Sequence, residues 1–272
     1  MTAIVVFIIF VAVQFIAGLG ALLFSNLDKI GSNVPIDQLS ISPVATGISL
    51  LVVEGLYALG MWFWFYRFEY KVRTKAQERP ELLSIFKFHP LKRELAEHSM
   101  SLWRWFITVT LSVAYALLIA AVLEKCGLAD DSSMQPFEGM LHNPLCLLLL
   151  CVVGPLCEEL VFRVGILRSL YRLNVPGWLA AIISALAFAV VHGNLAQGIP
   201  AFIMGFVFGM AYLRTGNLRL CLPMHMVNNT LSVILYNSPI SSNNSWWIFA
   251  IISLFYTWWL FENLSIPQEK KI

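Results

Sequence analysis

The chain has 272 residues, 58% of them hydrophobic and only 12% charged, against about 25% charged residues in an ordinary soluble domain. That balance excludes a soluble enzyme and describes a polytopic membrane protein. A formal net charge of +2, with no dense basic tract, excludes a nucleic-acid partner.

Runs long enough to cross a bilayer, about 20 apolar residues each, fall at 3–24, 44–66, 103–123, 145–167, 178–191, 199–213, 220–236 and 246–261. The expected fold is therefore all-α, with about eight transmembrane helices in a single membrane domain over residues 1–272. The first run starts at Ala3 without a basic leader or a small-residue cleavage site and reads as a retained span. The fifth and sixth runs are short and are joined only by 192–198, as a tight hairpin of tilted or partly sunken helices would be.

Orientation follows from lysine and arginine near the span ends. The segment 67–102 carries Arg67, Lys71, Arg73, Lys75, Arg79, Lys87, Lys92 and Arg93, whereas the loops on either side carry little more than Lys29 and Lys125. That segment is expected to be cytoplasmic, which sets an N-in, C-in layout. It also interleaves Glu69, Glu78, Glu81, Glu94 and Glu97, a pattern that fits either an amphipathic helix on an anionic leaflet or a solvated connector. Tryptophans such as Trp62, Trp64, Trp178, Trp246 and Trp258 lie near span ends, as an interfacial belt requires. Gly205 and Gly209 form a small-residue face suited to close helix packing. Cys126, Cys146, Cys151, Cys157 and Cys221 fall mostly inside apolar runs without a C-x-x-C pair, and they read as small buried hydrophobes with no redox or metal role.

Chemistry is concentrated in the second half of the chain. Glu158, Glu159 and Arg163 interrupt the apolar run that begins at Leu145, and each ionised residue near the centre of a span costs roughly 2.5–3.5 kcal/mol on insertion scales. Glu159 and Arg163 are four apart and stack on one helix face, where they can pair. Glu158 lies about 100° further round the helix and is the carboxylate left over. It reads either as a general base or as one member of a purely structural cluster. Phe188 and His192 are four apart on the fifth run; His225 and Asn229 are four apart on the seventh, with Asn228 beside them. A carboxylate, two imidazoles and a carboxamide converging between spans suffice to activate water and to hydrogen-bond an oxyanion, the two needs of amide hydrolysis.

The order Glu158-Glu159-x-x-x-Arg163, Phe188-x-x-x-His192, His225-x-x-x-Asn229 resembles the motif set of the CAAX prenyl protease and bacteriocin-processing (CPBP, or Abi) family of intramembrane glutamic endopeptidases. The resemblance covers a catalytic core of about 144–236; the first 120 or so residues carry no motif. It implies that Glu158 and His192 position and activate the attacking water, that His225 and Asn229 stabilise the oxyanion, and that Glu159, Arg163 and Phe188 support them. It implies no metal and no cofactor. The implied partners are a membrane-associated peptide or protein substrate, prenylated C-a-a-X proteins and small processed peptides among them, and the lipid bilayer. The short loops and lack of a targeting leader point to a bacterial cytoplasmic membrane.

Two competing functions share these residues. Two histidines and a glutamate are a possible zinc set, although no H-E-x-x-H occurs. A proton-coupled transporter or an immunity or scaffold protein also buries carboxylates and histidines. One geometric tension accompanies all three readings. Straight spans leave His192 near the outer end of the fifth helix and His225 near the inner end of the seventh, away from Glu158. Bringing them together requires either a fifth helix that begins deeper than Trp178 or a break at Gly154-Pro155 that re-aims the fourth.

Overall fold

The structure, a computed structural model, describes residues 3–29, 38–78, 138–215 and 220–236, with isolated residues 35, 118, 127 and 218. The expected span 246–261, all of 103–123 except residue 118, and loop residues 79–102 lie outside the described residues. Helices α1 (Ala3–Ser25), α2 (Pro43–Glu78), α3 (Pro144–Arg172), α4 (Gly177–Val190), α5 (Leu195–Thr215) and α6 (Cys221–Tyr236) make up the described fold, and no strand occurs among the described residues.

Among the described residues, four stretches are long and apolar enough to cross a membrane: Ala3–Ser25, Pro43–Trp64, Pro144–Arg172 and Leu195–Leu213. The pattern within α1 shows the solvent it is built for. Ala3, Val6, Phe10, Val13, Ala17 and Ala21 recur at spacings of three and four and are buried, yet Ile4, Ile8, Phe15 and Leu23 on the remaining surface are well exposed. A helix apolar on every side belongs in lipid or in a core, and here the outward side is left for lipid. The protein is an integral membrane protein. Past residue 66, where the span was expected to end, α2 continues as helix to Glu78, so the start of the basic segment is helical.

The central element is α3, which packs against each of the other five helices. It is launched by Asn143, whose side chain accepts from the Leu145 and Cys146 N–H groups at 2.9 and 3.3 Å, with Pro144 supplying a preset φ in the first turn. The core around it joins Val6 and Phe10 of α1, Met61 of α2, Phe188 of α4, Phe208 and Tyr212 of α5 and Met224 of α6.

Neither anticipated device brings the motifs together. The hairpin helix α4 begins at Gly177, and α3 runs unbroken through Gly154-Pro155. Instead the backbone of α3 widens into π-helical turns over Leu149–Val153 and Leu160–Leu167, on either side of an ordinary α segment, Gly154–Glu159. Pro155 supplies the physical reason for the first widening: its ring crowds the carbonyl one α-turn earlier and it has no N–H to give. In a π-turn the bonding shifts by one residue, and the Gly154 N–H bonds Leu149 O. Leu150 O then has Pro155 as its π-helical partner, which donates nothing. That orphaned carbonyl recurs in the site below.

The α4–α5 hairpin turns through Gly193, whose φ of 74° is in the left-handed region that glycine enters freely. Asn194 then caps α5, its Oδ1 accepting from Gln197 N at 2.8 Å. The Gly205–Gly209 face packs within the chain: a Cβ at Gly205 would stand 3.2 Å from Ala185 Cα and 3.1 Å from the Phe188 ring, and one at Gly209 would stand 3.3 Å from Ala181 Cβ. Replacing Gly205 by Leu is expected to cost about 1–3 kcal/mol of overpacking. Gly18→Ala, where a Cβ meets nothing within 4 Å, should be neutral or stabilising by up to about 1 kcal/mol. Thermal unfolding of the two purified variants in one detergent checks the contrast; equal melting temperatures would contradict the packing assigned to Gly205.

Candidate active site

Three of the helices meet at a polar cluster inside this apolar bundle. On α3, Glu159 and Arg163 are fully buried, with Arg163 Nε 3.1 Å from Glu159 Oε2. The two Nη groups of Arg163 find no hydrogen-bond acceptor among the described residues. They lie instead against aromatic faces, the guanidinium carbon 5.4 Å from the Phe188 centroid and 5.7 Å from that of Phe208, where the ring quadrupole attracts a cation.

From α6, His225 reaches between the two glutamates. Its Nδ1 lies 3.0 Å from Glu159 Oε1 and its Nε2 3.3 Å from Glu158 Oε2. A carboxylate only accepts, so an imidazole with a carboxylate at both nitrogens satisfies them as an imidazolium, unless one carboxyl carries a proton. With an imidazolium, the charges of Glu158, Glu159, Arg163 and His225 sum to zero. The two glutamates differ in access: the Glu159 side chain is sealed from solvent, whereas that of Glu158 is 22% exposed.

His192 sits in the turn after α4. Its Nδ1 is 2.8 Å from Phe188 O; a carbonyl accepts only, so Nδ1 is the donor and the neutral ring keeps its lone pair on Nε2. Phe188 joins the two imidazoles, edge-on to His192 at 4.8 Å and to His225 at 5.7 Å between centroids. Among the described residues no direct hydrogen bond links His192 to Glu158. Asn229 Nδ2 donates to Leu150 O at 3.0 Å, satisfying the carbonyl that the π-turn and Pro155 leave without a donor. Asn228 Nδ2 in turn contacts Asn229 Oδ1 at 3.3 Å. Ser184 on α4 donates its hydroxyl to Phe162 O at 2.7 Å, anchoring the second widened stretch of α3.

The structure thus gathers Glu158, Glu159 and Phe188 around His225, with Arg163 against Glu159 and Phe188, ties Asn229 to Leu150 O about two turns before Glu158 on the same helix, and sets His192 against Phe188. Among the described residues, no group of three His, Cys, Asp or Glu side chains is arranged to hold a metal ion. The sequence reading missed one buried carboxylate, Glu54 on α2, which accepts from Gln14 Nε2 of α1 at 2.7 Å. The signal was present as a lone acidic residue inside an apolar run, which marks a functional position in a membrane span.

The fold and the cluster define an all-helical membrane protein with a buried acid–base centre, and comparison with known proteins sharpens that class. Residues 140–231 match the type II CAAX prenyl endopeptidase Rce1-like family. The provisionally named membrane peptidase YdiL of Bacillus subtilis (strain 168) is 33% identical over 97 residues, covering 36% of this chain and 39% of that protein. The membrane-embedded CAAX protease MroQ of Staphylococcus aureus (strain USA300) is likewise 33% identical over 97 residues, 34% of this chain and 39% of its own length. An uncharacterised 24.3 kDa protein of Escherichia coli is 34% identical over 95 residues, 33% of this chain and 43% of that one. The chain therefore matches about two fifths of the length of these relatives. No solved structure matches it. The similarity to CAAX-protease-like membrane proteins is thus carried by residues 140–231, about a third of the chain.

Because Arg163 is buried beyond the reach of water, its counter-charge is not dispensable. Glu159→Gln is expected to destabilise the protein by about 3–5 kcal/mol, the cost of leaving one member of a buried ion pair unpaired. Accumulation in membranes and the melting temperature of the purified variant are the measurements, with Glu159→Gln/Arg163→Met as the double variant that should recover part of the loss.

Proposed function

We propose that this protein is a glutamate-dependent, metal-independent intramembrane endopeptidase that cuts a peptide bond in a membrane-associated peptide or protein, in a bacterial cytoplasmic membrane. The observation that carries the reading is the division between two adjacent carboxylates. Glu159 is sealed and held between Arg163 and His225, while Glu158 alone keeps an exposed edge and so can meet water. The CAAX-type names of the family and of MroQ support a substrate of that class, and the bacterial sources of the relatives support the compartment.

In this mechanism Glu158 takes a proton from water as the water oxygen bonds to the scissile carbonyl carbon, and the carbonyl electron pair moves onto its oxygen. His192, with its free lone pair on Nε2, orients the same water. The resulting oxyanion is met by the amide hydrogen of Asn229 that Leu150 O does not use, and by the Nε2 side of His225, which Glu158 gives up once it carries the proton taken from water. When the C–N bond breaks, the proton held by Glu158 passes to the leaving amine, which restores the carboxylate. Glu159, Arg163 and Phe188 hold His225 in place.

Glu158→Gln removes the base but not the ion pair, so the variant should accumulate and melt like the wild type while losing about 10²-fold or more in cleavage. Comparative peptidomics of membranes carrying each form should reveal a product missing from the variant, and that product should persist in wild-type membranes treated with a strong chelator. Loss of the product on chelation would point to a zinc enzyme. A phenotype without any changed peptide would point to transport or scaffolding.

A further inference from the structure

Two carboxamides stand side by side on α6, and the hydrolysis proposed above engages only Asn229. Asparagine is a weak helix former, and an amide away from water must be hydrogen-bonded, so the second one, Asn228, calls for a reason. Its side chain joins a chain of hydrogen bonds that crosses to α3. Asn229 Nδ2 donates to Leu150 O at 3.0 Å, and Asn229 Oδ1 accepts from Asn228 Nδ2 at 3.3 Å. The chemistry of each group fixes the direction of this chain. A backbone carbonyl only accepts, so Asn229 must turn its NH2 to Leu150 O; its oxygen then faces Asn228, which must present its own NH2 in reply. Of the two hydrogens on Asn229 Nδ2, one is committed to Leu150 O. The other is offered to an oxyanion only while Oδ1 stays on the far side, because half a turn of the amide would put a lone pair in its place.

We propose that Asn228 is a positioning residue for oxyanion stabilisation: through its bond to Asn229 Oδ1 it keeps an N–H of Asn229, and not the oxygen, turned toward the scissile carbonyl. The two partners divide the task. Leu150 O, which Pro155 leaves without a backbone donor, sets where the nitrogen of the amide lies, and Asn228 sets where the oxygen lies. A donor at Oδ1 also draws electron density from the nitrogen, which strengthens the remaining N–H as a donor. The catalytic side of the proposal rests on the peptidase reading; the hydrogen-bonded chain does not.

Two substitutions close to asparagine in shape test it, with the protein in lipid nanodiscs. Asn228→Leu removes the donor, and Asn228→Asp replaces it with a carboxylate that only accepts and so competes for the hydrogen meant for the oxyanion. With a cleaved substrate in hand, Asn228→Leu should lower kcat about tenfold, the worth of one net hydrogen bond. Asn228→Asp should lower it about 10²-fold or more, as loss of an oxyanion donor does, and KM should stay within about twofold in both. A protonated carboxyl can donate again, so the deficit of Asn228→Asp against wild type at the same pH should shrink as pH falls, while that of Asn228→Leu should not vary with pH. Deficits that follow the melting temperature and ignore pH overturn the positioning role, and so does a wild-type kcat in Asn228→Leu. Independently of cleavage, the side-chain amide nitrogen resonance of Asn229, assigned by its disappearance in Asn229→Asp, should move upfield in Asn228→Leu, because the amide oxygen has lost its donor. An unmoved resonance overturns the contact itself. A wild type that cleaves nothing overturns the peptidase reading and leaves the resonance to decide the chain.

Discussion

The constraint on which the rest of the structure depends is the complete exclusion of water from Arg163. A guanidinium in an apolar interior demands a counter-charge and a polarisable surround, and each demand recruits a separate helix. Glu159, one turn away on α3, supplies the charge; Phe188 from α4 and Phe208 from α5 supply the ring faces. Glu159 then has an oxygen to spare, which His225 of α6 meets. The helices α3 to α6 are thus registered to one another through a single buried cation, and the exposed edge of Glu158 is a by-product of how tightly its neighbour is held.

A second constraint is backbone hydrogen bonding in the absence of water. Pro155 forces α3 to widen, and widening leaves Leu150 O without a donor on its own helix. In lipid such a carbonyl costs several kcal/mol unless it is met. Asn229 meets it across the α3–α6 interface, so a proline beside the carboxylates fixes the height of an amide on another helix.

The parts of the site that were legible beforehand are those governed by helical periodicity within one segment: Glu159 with Arg163, Phe188 with His192, His225 with Asn229. Each is an i, i+4 pair, and such spacing places two residues on one side of a helix whatever the fold. The family match over 140–231 agrees with the recognition those spacings allowed, and the hairpin of α4 and α5 was visible in the short linker between two apolar runs. What the spacing could not convey was every contact made across helices. The bridge of His225 between both glutamates, the capture of Leu150 O and the contact of Gln14 with Glu54 depend on tertiary register. Pro155 was read as a kink because kinking is its commonest effect in isolation; a neighbouring side chain able to satisfy the freed carbonyl let the helix widen and continue.

The hairpin has a consequence for the membrane itself. At 1.5 Å per residue the fourteen residues of Gly177–Val190 reach about 21 Å, short of a hydrocarbon layer about 30 Å thick. A helix of that length does not cross such a layer by itself, and lipid adjusts to a shortfall of this kind by thinning locally. The turn that carries His192 closes that helix. A dimple in the bilayer beside this turn would bring the aqueous phase down toward the imidazole, so that membrane thickness and lipid chain length become variables of the site.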